Sequence, residues 1–304
     1  MKIPFKNLSF IFSISLIVLA LPLYSYAKDE VIEREKNILI IKDPYKDFGS
    51  EDYGGDNEHE VVGVSLQTIR DLIKKGKPIH FAKGQYGEIR TIKSEWILGV
   101  LDNETDIKAI DIDNAIITGN LDFCIASKLV DIEECDIRED AKKHLRLYEV
   151  EKTYLISPSI KLSNCRIEGN ILAGYNEDIL SNVMLNCKFD NSIVLGTVNL
   201  SRSYIRGYSS FDSAAFKNDV DFSYAYFDKW AIFRNANFYG KTDFGVVQFS
   251  SGTNFINSKF NNSVSFFGSN FIDDVYFDRA NFGKTANFYL AKFHSENVDL
   301  LPKN

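Results

Sequence analysis

From residue 211 onward the apolar positions fall on a fixed beat. Phenylalanine stands at 211, 216, 222, 227, 233, 238, 244, 249, 255, 260, 266, 271, 277, 282, 288 and 293, and the gaps alternate five and six. Sixteen of the 24 phenylalanines lie on this 11-residue period, so the aromatic content has one repeated packing role. Two residues before most of them comes a small or β-branched side chain, as at Ala214, Val220, Ala231, Thr242 and Val264. The position between is mostly polar: Asp221, Asn237, Asp243, Asn254, Asn270, Asn281, Asn287. Apolar at i−2 and i with polar at i−1 is a local period of two, which puts both apolar side chains on one face of extended backbone. A fixed short period marks a stacked-repeat architecture.

A right-handed coiled coil also has an 11-residue repeat. Gaps of five and six, however, throw successive phenylalanines onto divergent faces of a helix with about 3.6 residues per turn. Residues 201–299 hold a single leucine, Leu290, and no methionine, amid abundant Gly, Asn, Asp and Ser, which are poor helix formers. The pattern predicts an all-β solenoid whose coil has a period of 22, five and six taken twice.

The triplets Ala236-Asn237-Phe238, Ala280-Asn281-Phe282 and Ala286-Asn287-Phe288 resemble the motif of the pentapeptide-repeat family, small residue, Asn or Asp, then Leu or Phe. The resemblance is dense over 198–293. It implies a right-handed quadrilateral β-helix with four short faces per coil and positions i and i−2 inside. The alternation of five and six is a departure from the family's spacing.

Upstream the register continues in degenerate form. Steps of 11 reach Leu200 and Phe189 from Phe211, and Ile205, Val194, Val183 and Leu172 from Phe216. Ile160-x-Leu162-x-x-Cys165-x-Ile167-x-Gly169-x-Ile171 matches Ile110-x-Ile112-x-x-Ala115-x-Ile117-x-Gly119-x-Leu121 at an offset of 50, which reads as two coils of 22 plus about six residues. A charged excursion near 124–158 is expected to leave the solenoid between them as an edge loop or short helix. Cys165 and Cys187, both at i−2 and 22 apart, are expected to stack in adjacent coils as small core thiols. The oxidation of Cys165–Cys187 and of Cys124–Cys135 stays open.

Ahead of the repeats the chain divides further. Lys2 and Lys6, an apolar run from Leu8 to Leu23 and Ser25-Tyr26-Ala27 read as a signal peptide over 1–27, with a mature start near Lys28. An uncleaved N-terminal anchor is the alternative. Residues 28–62 are charged and rich in Gly and Asp and read as a flexible lead-in. Residues 63–108 read as a helical N-terminal cap, with Ser65 capping one helix that ends at Gly76, a strand at 78–81 and a second helix over 87–101. A solenoid's first coil needs such a lid. The β-helix itself is assigned to 109–299.

Charge and chemistry narrow the function. Net charge is −7, but it lies in 28–199; residues 200–304 carry 11 Lys+Arg against 10 Asp+Glu. Some pentapeptide-repeat proteins are acidic rods that mimic DNA and protect gyrase, a role that a neutral rod does not suit, and no basic stripe supports nucleic-acid binding. The sequence holds no H-E-x-x-H, phosphate-binding Gly loop or G-x-S-x-G, and Glu58-His59-Glu60 reads as a solvated acidic loop. No catalytic residue, cofactor or metal is expected. The reading is an exported, non-enzymatic scaffold or protein-interaction module of the cell envelope, whose partner is an unidentified protein or envelope component. The competing class is an enzyme with its site on the excursion or cap, using Glu, Asp, Arg138 or His144. The candidate contact residues are Phe267, Tyr276 and Tyr289: Phe267 and Tyr289 are 22 apart and outward, and Tyr276 shares a 22-spaced column with Ile232, Asn254 and Val298. Val298, Leu300 and Leu301 are expected to fold over the last coil or to pair with a second copy end to end.

Overall fold

A computed structural model describes residues 39–41, 65–81, 90–103, 107–124, 128–145, 152–156, 158–173, 182–184, 186–295 and 298–299. The signal-peptide reading, the acidic loop around His59 and the residues Leu300 and Leu301 lie outside the described residues. Among those described, no helix is long and apolar enough to cross a membrane.

Short strands stack into four sheets that form the walls of a β-helix. The first wall runs through ten strands from Leu39–Ile41 to Val298–Asp299, and the second through eight from Thr91–Lys93 to Asn281–Phe282. The third has seven, from Leu121–Asp122 to Ala286–Asn287, and the fourth eight, ending at Lys292–Phe293. Ser209 pairs with Ala231, Ala215 with Asn237, Val220 with Thr242 and Tyr226 with Gln248. Each coil of the regular part therefore advances the chain by 22 positions, the separation of Asp219 and Lys241, which bond across one step. Among the described residues all strand pairs are parallel except Lys128–Asp131 with Lys152–Ile156. The fold is the right-handed quadrilateral β-helix that the repeat implied.

The alternation of five and six has a backbone cause. In each five-residue step a type II turn closes the corner: Ala214 N donates to Phe211 O at 3.1 Å, and Ser213 between them has φ +59°. The same left-handed position recurs in two columns, Asn191, Ser213, Asn235, Asn257, Arg279 and Arg202, Tyr224, Val246, Gly268, Leu290. The six-residue step lacks this turn and makes the wider corner. Val246 is the poorest fit, because a β-branched side chain at φ +58° crowds its own backbone. Val246→Gly, which copies Gly268 one coil on, should raise stability by about 0.5–1 kcal/mol; a melting temperature that falls would contradict this account of the corner.

Inside, the phenylalanines form ladders. Phe233 stacks on Phe255 at 4.9 Å and 6°, Phe238 on Phe260 at 4.8 Å and 8°, and Phe249 on Phe271 at 4.9 Å and 12°. Between ladders the rings meet edge to face, as for Phe244 and Phe255 at 82°. The periodic phenylalanines are therefore the interior of the molecule, part of one hydrophobic core running from Ile69 to Phe277.

Four expectations about register need correction. The offset of 50 is a single coil step, since Ile110 pairs with Ile160, Ile116 with Arg166 and Leu121 with Ile171; the additional residues form the excursion. The next step also exceeds the regular period, with Ile160 beside Cys187 and Arg166 beside Ile193. Cys187 thus lies in the first wall, whereas Cys165 directly precedes a strand of the second, and the two do not stack. Met184, not Val183, pairs with Ile205, and Leu172 is half-buried between the core residues Ile171 and Ala173. At the far end Val298 pairs with Val275, and Asp299 takes the place beside Tyr276.

The cap is assembled from two helices and the first strands. Helix α1 (Leu66–Lys74) starts at Ser65, whose Oγ accepts from Thr68 N at 3.1 Å. It ends in a Schellman motif: Lys77 N donates to Leu72 O at 3.0 Å, Gly76 N to Ile73 O at 2.9 Å, and Gly76 takes φ +60°. The second helix, α2 (Ser94–Asn103), begins later than the pattern predicted, because β-branched Thr91 and Ile92 form a strand on Ile116 and Ile117 instead. The lead-in also contains a strand, Leu39–Ile41, paired with Ile79–Phe81. Ile69, Leu72 and Ile73 of α1 and Ile97 and Val100 of α2 join the core and close the first coil. At the opposite end Phe282, Phe288 and Phe293 remain partly exposed.

Candidate functional site

The outer surface offers two places where side chains do more than face water. The first is the excursion. Its strand Lys128–Asp131 and helix α3 (Glu139–His144) form a strap across the fourth wall. Val130, Ile132, Cys135, Ile137, Ala141 and Leu145 pack on Tyr204 and Tyr226, a small core separate from the main one. Polar contacts fasten it. Arg138 donates from Nη1 to Asp228 Oδ1 at 2.9 Å and grips Asp140 through Nε and Nη2, both at 3.0 Å. Tyr226 Oη donates to Asp140 Oδ2 at 2.7 Å, and Arg206 pairs with Asp136.

His144 lies edge-on to Tyr226 at 5.8 Å. Burial lowers its imidazole below the ordinary value, against an opposing pull from the backbone of Tyr224 and Ala225 and from Asp140. Burial alone would raise Asp140, yet the hydrogen bonds from Tyr226 and Arg138 outweigh it and hold the carboxyl low. Burial and the nearby Asp228 push the Tyr204 phenol up to about 12. Arg138 and His144, the residues an enzymatic reading would use, are occupied in docking the strap.

The second place is the aromatic surface of the late coils. Phe267 and Tyr289 stack with centroids 6.0 Å apart and planes at 29°. They are 39% and 60% exposed, and Leu290 beside them is 58% exposed. Tyr276 stands on another wall and stacks on Trp230 instead, at 6.4 Å and 11°. The three candidate residues therefore form two separate patches. Trp230 has no local sequence signal; its partnership with Tyr276 becomes visible only once Gly252 is seen between them in the stack.

The polar residues between apolar positions have a structural use. Asn199, Asp221, Asp243 and Asn287 each accept from the backbone N–H two residues on, at 3.0, 2.7, 2.6 and 3.0 Å. Side chains of the Asn/Asp type thus satisfy amides at the corners, an Asx arrangement. Asp221 and Asp243 are neighbours in the third wall, and burial together with Asp221 raises the Asp243 carboxyl. Among the described residues no three His, Cys, Asp or Glu side chains gather as metal ligands. The four cysteines are free thiols. Burial raises Cys165 to about 12 and, with Asp122, Cys124 to about 11, far from the thiolate that nucleophilic chemistry needs.

Strands of two residues, four walls and an aromatic interior define a solenoid built to present surface. The family model for pentapeptide repeats (9 copies) matches residues 200–248. No curated protein and no solved structure matches the chain. Residues 200–248 are pentapeptide repeats, and the Phe register they share continues unbroken to Phe293. The match supports a non-enzymatic repeat protein.

Proposed function

We propose that this protein is an exported scaffold of the cell envelope that binds a protein or other envelope component through its late coils. The observation that carries the reading is the Phe267–Tyr289 stack with Leu290. These exposed apolar side chains adjoin a last coil whose Phe288 and Phe293 are only partly covered. Isolated exposed aromatics are ordinary, but a contiguous group marks a contact surface. The interior does not require Phe267 or Tyr289, because the ladder positions beside them are Phe266 and Phe288. The same end also suits a second copy, which would stack coil on coil against the partly exposed Phe288 and Phe293.

The test is a cross-linking pull-down from the envelope fraction with the full chain and with Phe267→Ser/Tyr289→Ser. The double variant should fold normally and lose most of the captured partner. Unchanged capture would dismiss this surface. Sequencing the exported protein from its N-terminus should give a start at Lys28; a retained segment before it would favour the anchored alternative.

A further inference from the structure

Trp230 sits at the edge of the first wall, one coil after Tyr208 and one coil before Gly252. Gly252 has no side chain, and the indole fills the space. A Cβ placed on Gly252 would lie 2.5–2.7 Å from Cη2, Cζ2 and Cε2 of Trp230. Three adjacent ring atoms at nearly equal distance put that point over the face of the six-membered ring rather than at its edge. The indole therefore lies flat on the outside of the solenoid. Tyr276, on the next coil after Gly252, is parallel to it within 11°. Its Oη donates to Asp274 Oδ2 at 3.2 Å, and Asp274 also accepts from Ser295 Oγ. Two parallel, partly exposed rings thus form a shelf with a fixed carboxylate at one end. Other outward tyrosines are used differently: Lys217 Nζ sits 3.6 Å over the Tyr239 ring, and Arg202 lies 5.3 Å from that of Tyr224.

We propose that the Trp230–Tyr276 shelf binds a pyranose unit of a glycan chain. A sugar ring has a face of polarised C–H bonds, which suits the negative face of an aromatic ring, and a perimeter of hydroxyls. Asp274 and the exposed Asp273 stand at the rim to accept from those hydroxyls. Size argues against a protein here. Two such rings present on the order of 200 Å² when half covered, against about 800 Å² for each partner in a stable protein interface. Charge argues against a nucleic acid, because single-strand sites pair stacking rings with a cationic groove, and this rim carries Asp273 and Asp274. Shape argues against an organic cation, which aromatic cages enclose with rings set around the charge; these rings are parallel. The inference rests on the interaction-module reading and names one class of partner for it.

Trp96 and Trp230 are the two tryptophans of the chain, so Trp96→Phe leaves Trp230 as the single indole reporter. The purified full chain is titrated with cello-oligosaccharides and with N-acetylglucosamine oligomers while Trp230 emission is recorded, and calorimetry is run in parallel. A saturable change with at least one oligomer is expected. Trp230→Ala and Tyr276→Ala should each weaken calorimetric affinity about tenfold or more with the melting temperature unchanged. Absence of saturable binding overturns the assignment, as does binding retained in both variants or equal binding of choline or a mononucleotide. Because the pull-down depends on Phe267 and Tyr289, the saccharide assignment can fail while the scaffold reading stands, and the reverse.

Discussion

Phe244→Asp abolishes cooperative folding of the solenoid. Phe244 is 0% exposed and lies between Phe222 and Phe266 in its ladder, 5.1 Å from each with planes within 8° and 3°. It also meets Phe233 at 5.2 Å and Phe255 at 5.4 Å edge to face. Removing the ring costs about 3–5 kcal/mol by analogy with buried Phe→Ala changes. The carboxylate adds several more, because aromatic rings surround it and no cation is within the ladder. The sum reaches the whole stability of an ordinary domain, about 5–15 kcal/mol. In a stacked-repeat protein each coil is stabilised by its neighbours, so a broken middle coil uncouples those on either side. Circular dichroism and limited proteolysis should find the sigmoidal melt lost and cleavage near residue 244, whereas Phe244→Leu should keep the transition at a lower temperature. A melt of the aspartate variant that matches the parent would show that the ladder is not the core.

What the sequence made legible follows from what repeats. A phenylalanine every five or six residues can be read directly, because an uninterrupted period projects onto one stack, and Phe233, Phe255 and Phe277 are neighbours for that reason. Insertions defeat the same arithmetic. A regular step from Cys165 reaches Cys187, but the coil there is longer and sets Cys187 beside Ile160, so the step ended on a different wall. Local propensity misjudged Thr91–Lys93, where pairing with Ile116–Thr118 outweighs helix continuation from Ser94. The left-handed corners stayed hidden at Tyr224, Val246 and Leu290 because no Gly or Asn marks them. The surface was least legible. Tyr276 falls in the column of Ile232 and Asn254 by its Cα, yet its ring leans into the next column, toward Trp230 and Asp274. Arg138 and Asp228 are 90 residues apart, and no local pattern signals their contact.

That contact makes docking of the strap sensitive to a single surface substitution, and His144 and Asp140 make it sensitive to pH. Arg138→Ala leaves Asp228, 7% exposed, with Lys229 at 3.6 Å as its remaining ion pair, and it removes the Arg138 contacts of Asp140, which keeps the hydrogen bond from Tyr226. Breaking a fully buried pair costs about 3–5 kcal/mol; Arg138 is half-exposed, so a loss on the order of 2 kcal/mol is expected, drawn from strap docking rather than from the Phe core. Acid should act on the same joint in two stages. His144 has a lowered pKa when docked, so docking is at full strength above the undocked value near 6.5 and weakens as pH falls through that value toward the depressed one. Asp140 is lowered too, so its contribution is complete above the usual carboxylate value near 3.9 and is lost only as pH falls below it. Between pH 7.5 and 5.5 the imidazole alone of this pair changes charge. Hydrogen exchange across 128–145 should therefore quicken at pH 5.5 while the amides of the Phe ladders stay protected. His144→Gln should remove that difference, and Arg138→Ala should give fast strap exchange at both pH values. Equal protection of the strap at pH 7.5 and 5.5 in the parent protein would mean that His144 does not hold the joint, which would then rest on the Arg138 and Asp140 contacts and the apolar packing on Tyr204 and Tyr226.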